Sequence, residues 1–201
     1  MTSDGATPRR LRGAGELTAL AHPVRLGIIE MLTLHGPLTA TDLADLLGES
    51  PANCSWHLRK LAEHGFVEEA ESGTGRRRPW QMSGTGLIWD GSQSSSEELQ
   101  AGLAFAEMAL KPSLDRLRAA RLKAGHEDPG WRGVGTLTQT VAWLTAEELE
   151  TRNAAIAEIV EQDQERLQNP DRRPKGARLC EFVAWGVPVS MPGVLAEGEK
   201  S

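Results

Sequence analysis

The chain has 201 residues, of which 39% are hydrophobic and 25% charged, and its formal net charge is −6. That length allows one large domain or two small ones, and no apolar run is long enough to cross a bilayer. Two distant cysteines, Cys54 and Cys180, exclude a disulfide framework and a zinc knuckle, so a reducing cytoplasm is the expected compartment. Acidity also argues against a globally basic nucleic-acid surface. Residues 1–90 hold 9 Lys and Arg against 11 Asp and Glu, a net of −2, and residues 91–201 hold 13 against 17, a net of −4. Any DNA footprint must therefore be local.

Residues 1–13 are polar and carry Arg9, Arg10 and Arg12 with no apolar block behind them. They read as a disordered tail and not as a secretory signal. Leu17, Leu20 and Ala21 begin a helical stripe, which His22-Pro23 interrupts. Pro23 suits the first turn of a second helix, running to about His35 with Val24, Ile28, Ile29 and Leu32 at helical spacing. Gly36-Pro37 stops it. Thr39 and Asp42 then form a capping-box pattern for a third helix carrying Leu43, Leu46 and Leu47, closed by Gly48.

Ser50 caps the next helix and Pro51 takes its first position. Cys54, Leu58 and Leu61 share its inward face, at spacings of four and three. On the opposite side lie Ala52, Trp56, Arg59 and Glu63, flanked by Asn53, Lys60 and Ser55. An exposed Trp and Asn near a helix N-terminus have little structural purpose. They match base reading, since Asn pairs with adenine and an apolar ring contacts a thymine methyl. His57 falls at the core edge, where a half-buried histidine bonded to backbone and a phosphate contact are both open.

Gly65-Phe66-Val67 starts a strand, Ser72-Gly73-Thr74-Gly75 is turn chemistry, and Arg76-Arg77-Arg78-Pro79-Trp80-Gln81-Met82 returns. Trp80 and Met82 share a face by alternation. Three consecutive arginines at a hairpin tip after a helix-turn-helix read as a wing that grips phosphates or a narrow minor groove. The order of these elements is that of a winged helix-turn-helix.

Four pieces, Leu20-Ala21-His22-Pro23-Val24-Arg25-Leu26, Leu43-Ala44-Asp45-Leu46-Leu47-Gly48, Ser55-Trp56-His57-Leu58-Arg59-Lys60-Leu61 and Gly75-Arg76-Arg77-Arg78, together resemble the ArsR/SmtB-like winged-helix repressors. The resemblance covers about residues 14–86. It implies a homodimeric, operator-binding transcriptional regulator of prokaryotic type, read here as a repressor, although no residue separates repression from activation. By that likeness Ser55, Trp56 and His57 face DNA. Arg25 lies where the family often has an arginine near the DNA backbone or in a structural ion pair. The metal-sensing members carry a Cys-x-Cys motif before the reading helix; Ala40 to Leu47 has no cysteine. No metal and no cofactor are therefore expected.

Gly- and Ser-rich residues 84–96 read as a linker, placed in the domain division at 87–96. Ser95 caps a long helix to about Ala124, with a stripe of Leu99, Leu103, Ala106, Leu110, Leu114 and Leu117 and an internal Pro112. That stripe suits a dimer seam, with intrachain packing as the alternative. Residues 136–144 have strand character, with Leu137, Val141 and Trp143 alternating. Thr145 and Glu148 open another helix to about Gln168. Leu179 to Val189 form a second predicted strand, with Leu179, Glu181, Val183 and Trp185 on one parity and Cys180, Phe182 and Ala184 on the other. This strand–helix–strand order resembles the C-terminal extension of larger family members.

The expected fold is thus α+β and mainly helical: a tail at 1–13, a winged helix-turn-helix at 14–86, and a linker at 87–96. A helix–strand–helix–strand dimerisation region with two short strands follows at 97–190, and a tail at 191–201. The expected partners are double-stranded DNA and a second copy of the chain. Trp89, Phe105, Met108, Trp131, Trp143, Phe182 and Trp185 read first as core, and second as walls for a small hydrophobic effector. The residues expected to meet DNA are Arg25, Ala52, Asn53, Ser55, Trp56, His57, Arg59, Lys60, Arg76, Arg77 and Arg78. The alternative is a winged helix that docks proteins without reading sequence. No nucleophile–base set or phosphate loop points to an enzyme. A redox switch at Cys54 is disfavoured by its inward face and the lack of a nearby resolving cysteine.

Overall fold

A computed structural model describes residues 9–11, 13–70, 78–84, 87–88, 95–167 and 169–192. The chain divides into two units: residues 1–123 with 165–175, and residues 124–164 with 176–201.

The first unit holds the core. Helices α1 (Gly13–Leu20), α2 (Pro23–His35), α3 (Ala40–Leu47) and α4 (Pro51–Glu63) follow each other with short connections. His22 caps α2, its Nδ1 accepting from the Val24 N–H at 3.2 Å, and Pro23 occupies a first-turn position that loses no intrahelical bond. At α3 the capping box is complete: Thr39 Oγ1 accepts from the Asp42 N–H at 3.2 Å and the Asp42 carboxylate accepts from the Thr39 N–H at 2.9 Å. Gly48 ends α3 at φ 68°, a left-handed conformation that sharply reverses the chain toward α4. Ser50 caps α4 by accepting from the Asn53 N–H at 3.1 Å. These caps make the helix-turn-helix corner a local property of the sequence.

Leu17, Leu20, Ile28, Leu32, Leu43, Cys54, Leu58, Leu61, Phe66 and Val67 form one buried cluster. It joins the inner stripes of all four helices to the first wing strand. Strand β2 (Val67–Glu69) pairs antiparallel with β3 (Trp80–Met82), with Val67 opposite Met82. Leu38, between α2 and α3, adds a bridge to Trp80: Leu38 N–H donates to Trp80 O at 3.0 Å and Trp80 N–H donates to Leu38 O at 2.7 Å. The strand pair is therefore clamped to the helices from the far side of β3. Four helices followed by this antiparallel pair are the winged-helix arrangement. Among the described residues, no single helix is long and apolar enough to cross a membrane.

Two segments differ from expectation at the N-terminal end. Arg9–Arg10 (β1) pairs in parallel with Leu87–Ile88 (β4), and Leu11 is 2% exposed. The stretch expected to be a tail is thus tied down at 9–11, because Leu11 supplies an apolar anchor among polar neighbours. The other half of the pair lies inside the stretch expected to be a linker. The long helix α5 (Ser96–Lys123) packs against α1 and belongs to this same unit, so the division between units falls after Lys123. Arg116 of α5 also pairs with Glu30 of α2 at 2.9 Å.

The second unit contains α6 (Ala146–Val160), opened by a complete Thr145–Glu148 capping box. It ends earlier than its apolar pattern suggests: Asp163 takes φ 63°, which no helix continues, and a single 3-10 turn follows at Gln164–Arg166. Gly186 lies against α6, its carbonyl accepting from Asn153 Nδ2 at 3.0 Å; a Cβ there would fall 2.3 Å from Asn153 Oδ1. The two strands expected at 136–144 and 179–189 are not formed. Both stretches lie outside any helix or strand, and no backbone–backbone hydrogen bond joins them to another described residue. A strand exists only with a ladder partner, however strong its alternation.

Candidate nucleic-acid interface

The single apolar cluster described above holds one face of α4 and leaves the opposite face exposed. Cys54, Leu58 and Leu61 are fully buried, whereas Ala52, Trp56, Arg59 and Glu63 are exposed, Trp56 at 49%. Thirteen residues at 1.5 Å rise give a rod of about 20 Å, which a major groove about 12 Å wide accepts lengthwise or at a slant. The exposed face offers one large apolar ring and one long cation within a single turn.

Charges around this face are already partnered. Lys60 Nζ meets the Glu63 carboxylate at 2.8 Å and lies 6.0 Å from the centre of a Trp56 ring. Asn53 Nδ2 donates to Glu49 Oε2 at 2.8 Å. On the wing, Arg78 Nη1 meets Glu69 Oε2 at 3.1 Å. These contacts are solvent-exposed, and exposed ion pairs contribute only about 0–1 kcal/mol each. A phosphate can therefore displace Glu63 or Glu69 at small cost. Asn53 must leave Glu49 before it can meet a base edge.

His57 is a correction to the set of residues expected to face DNA. It is 3% exposed, so its ring cannot reach a phosphate. The ring lies 4.4 Å from that of His22, tilted by 38°, and meets Trp56 edge-on at 4.7 Å. Its Nδ1 is buried with no hydrogen-bond partner among the described residues. The expected alternative, a histidine bonded to backbone, is not observed at that nitrogen either. Burial holds the His57 imidazole below its ordinary pKa, and the nearby His22 and Arg25 push it the same way against an opposing effect of Glu49. The ring is thus kept neutral and serves as a platform for Trp56.

Arg25 is half-buried and its Nε has no hydrogen-bond partner among the described residues. Burial lowers the pKa of its guanidinium. Its charge is near enough to His57 to disfavour protonation of that imidazole. Ser55 is half-buried, and Arg76 and Arg77 lie outside the described residues. Helix α4 therefore brings together Ala52, Asn53, Trp56, Arg59 and Lys60 away from its buried side. Burial raises the Cys54 thiol pKa, with Glu49 adding to the effect, so the thiol is an apolar filler.

Two participants were not foreseen from sequence. In sequence His22 precedes a helix-starting proline, and its stacking on His57 depends on a tertiary contact between the start of α2 and α4. Glu49 lies between the Gly48 helix end and the Ser50 cap, and nothing in the reading of the sequence assigns it a role. Its one legible signal was its place four residues before Asn53, the spacing at which helical side chains meet. Among the described residues no group of three His, Cys, Asp or Glu side chains could hold a metal ion.

A family model described as a helix-turn-helix domain matches residues 20–70, about a quarter of the chain. This chain carries a helix-turn-helix domain. The matched span runs from the end of α1 through β2, so the helix-turn-helix domain includes the whole α4 face and stops before the wing returns. No curated protein matches the sequence. Among solved structures, a transcriptional regulator homologue from Pyrococcus horikoshii OT3 is 23% identical over 49% of this chain and 87% of that one, at a TM-score of 0.30. RV1404 from Mycobacterium tuberculosis is 14% identical over 73% and 80% of the respective chains, also at a TM-score of 0.30. Both overlaps are too loose to bear on what this chain does.

Proposed function

We propose that this protein is a DNA-binding transcriptional regulator that acts as a homodimer, laying α4 in the major groove and the β2–β3 wing along the flanking backbone. The observation that carries the reading is the Ser50-capped helix whose inner face is locked by Cys54, Leu58 and Leu61 while Trp56 stands 49% exposed opposite them. Trp56 meets a thymine methyl or sugar in this reading, Arg59 and Lys60 meet phosphate or guanine, and Arg76, Arg77 and Arg78 grip backbone at the wing. The likeness to ArsR/SmtB-like repressors belongs to the same proposal, as do repression and a pseudo-palindromic operator.

The dimer rests on α5. Its Ala101, Gly102 and Phe105 turn toward the core, whereas Leu99, Leu103 and Leu114 are about half exposed, at 50%, 52% and 49%. Leu99, Leu103 and Leu114 of the stripe are therefore only partly covered within the chain, and a second α5 would cover them. Two reading helices related by a two-fold axis would then address half-sites about 34 Å apart.

A second reading, docking of a protein, is favoured by the acidic net charge and by the pairing of Lys60 and Arg78 with glutamates. Selection of bound sequences from random duplexes separates the two. A regulator enriches a symmetric motif whose complex weakens with salt; a docking module enriches nothing. Within an enriched site, Trp56→Ala or Asn53→Ala should cost roughly 1–3 kcal/mol and relax preference at one base position. Binding unchanged in both variants would sink the assigned reading face.

A further inference from the structure

The second unit has no buried side chain among its described residues. A polypeptide ordered without a core does not repay the entropy of ordering it, about 1–2 kcal/mol per residue for the backbone alone. Its apolar surface is concentrated in two extended stretches. Leu137, Val141 and Trp143 are 68%, 63% and 72% exposed; Leu179, Phe182 and Trp185 are 72%, 73% and 68% exposed. These stretches also have strand-forming composition, and their backbones have no backbone–backbone hydrogen bond to any described residue.

We propose that residues 136–144 and 179–187 are the strands of a subunit interface, pairing with the same stretches of a second copy of this chain. The inference rests on the dimer proposed above and extends it from α5 to the second unit. The area fits that occupant. Eight large apolar side chains are exposed in the two stretches. At roughly 100 Å² each they present about 800 Å² per copy, hence about 1,600 Å² when the patch meets itself across a two-fold axis, the size of a stable interface. Charge fits as well. The eighteen residues contain one charged side chain, Glu181, so they present no cation to attract a nucleic acid or an anionic surface, and a single carboxylate per copy is the only like charge that self-pairing brings together. Pro188 follows directly and cannot donate to a ladder, which ends the pairing at Val187. Gly186, hydrogen-bonded to Asn153, anchors the second stretch on α6 so that Trp185 and Val187 flank a fixed point.

The test is hydrogen exchange on the full chain at two concentrations, with mass measured in solution alongside. The expected result is a dimer whose amides at 136–144 and 179–187 are slowed by at least about a hundredfold, with that protection lost on dilution to monomer. A dimer whose amides there exchange at the unpaired rate overturns this interface and leaves the α5 seam standing. A chain that stays monomeric at all concentrations overturns the dimer itself. Protection that survives dilution to monomer means pairing within one chain and also overturns the proposal. As a second measurement, the double variant Phe182→Asp and Trp185→Asp should weaken dimerisation by at least about thirtyfold. Its helical circular dichroism should be unchanged, because the core lies wholly in the first unit. Dimerisation unaltered by that variant counts against the assignment.

Discussion

Trp56 and His57 are neighbours in sequence and occupy opposite environments, one 49% exposed and one 3% exposed. Helical geometry separates them by about 100°, enough to put one ring in solvent and the other in the core. The consequence is a coupling between pH and folding at the base of the reading face. His57 has a folded pKa below its unfolded value of 6.5. Below that pH the unfolded chain takes up the proton first, so stability falls as pH drops from about 6.5 toward the folded pKa, by at most roughly 1.4 kcal/mol per pH unit. Above about 6.5 the group is neutral in both states and contributes no slope. Urea midpoints of the wild type and His57→Gln should therefore converge as pH falls from 8 to 5.5. Parallel curves for the two would show that His57 does not titrate with unfolding. Cys54 needs no function beyond packing: it fills the same face as Leu58 and Leu61, and burial keeps its thiol protonated.

At the scale of elements, the helix-turn-helix is built from caps whose partners are two or three residues apart. That is why α2, α3 and α4 begin where Pro23, Thr39 and Ser50 say they should. Thr39→Ala removes both the acceptor for the Asp42 N–H and the hydroxyl that holds the Asp42 carboxylate at 2.7 Å. It should cost about 1 kcal/mol of stability, read by chemical denaturation, with no change in the folded spectrum. An unchanged midpoint would show that water replaces the cap. Helix α4 carries its own counter-ions, and this sets a second expectation. Glu63→Gln frees Lys60 and removes a negative charge beside the exposed face, so affinity for an enriched duplex should rise by up to about 1 kcal/mol at low salt. Weaker binding in that variant would show that Glu63 positions Lys60 productively. The wing differs from the helices in this respect: the β2–β3 pair was legible from alternation, whereas its bridge to Leu38 joins residues far apart in sequence.

At the scale of the whole molecule, the two units have opposite characters. Every member of the core cluster lies between Leu11 and Val67, and the apolar residues packed on it extend only to Phe105. A fragment of residues 1–123 should therefore unfold cooperatively on heating. Residues 124–201 alone should show no cooperative transition at low concentration, because none of their described side chains is fully buried. Cooperative melting of the second fragment as a dilute monomer would contradict this picture. The net charge of −6 acts at this scale too: it lowers non-specific attraction to DNA, so the affinity of a regulator of this kind must come from a few local cations.

The sequence alone determined the helices, their caps, the inward face of α4 and the existence of the wing, because each depends on residues within a few positions of one another. It also marked 136–144 and 179–189 as strand-like, from alternation and β-branching. Only the tertiary structure decided that His57 is shut away against His22, that Asn53 is held by Glu49, and that Leu11 anchors the N-terminal stretch. Only it decided that the two strand-like stretches form no backbone ladder with any described residue and that α5 keeps Leu99, Leu103 and Leu114 about half exposed. Those outcomes turn on contacts between distant parts of the chain, where the winner is set by shape and available partners, and neither propensity nor spacing encodes them.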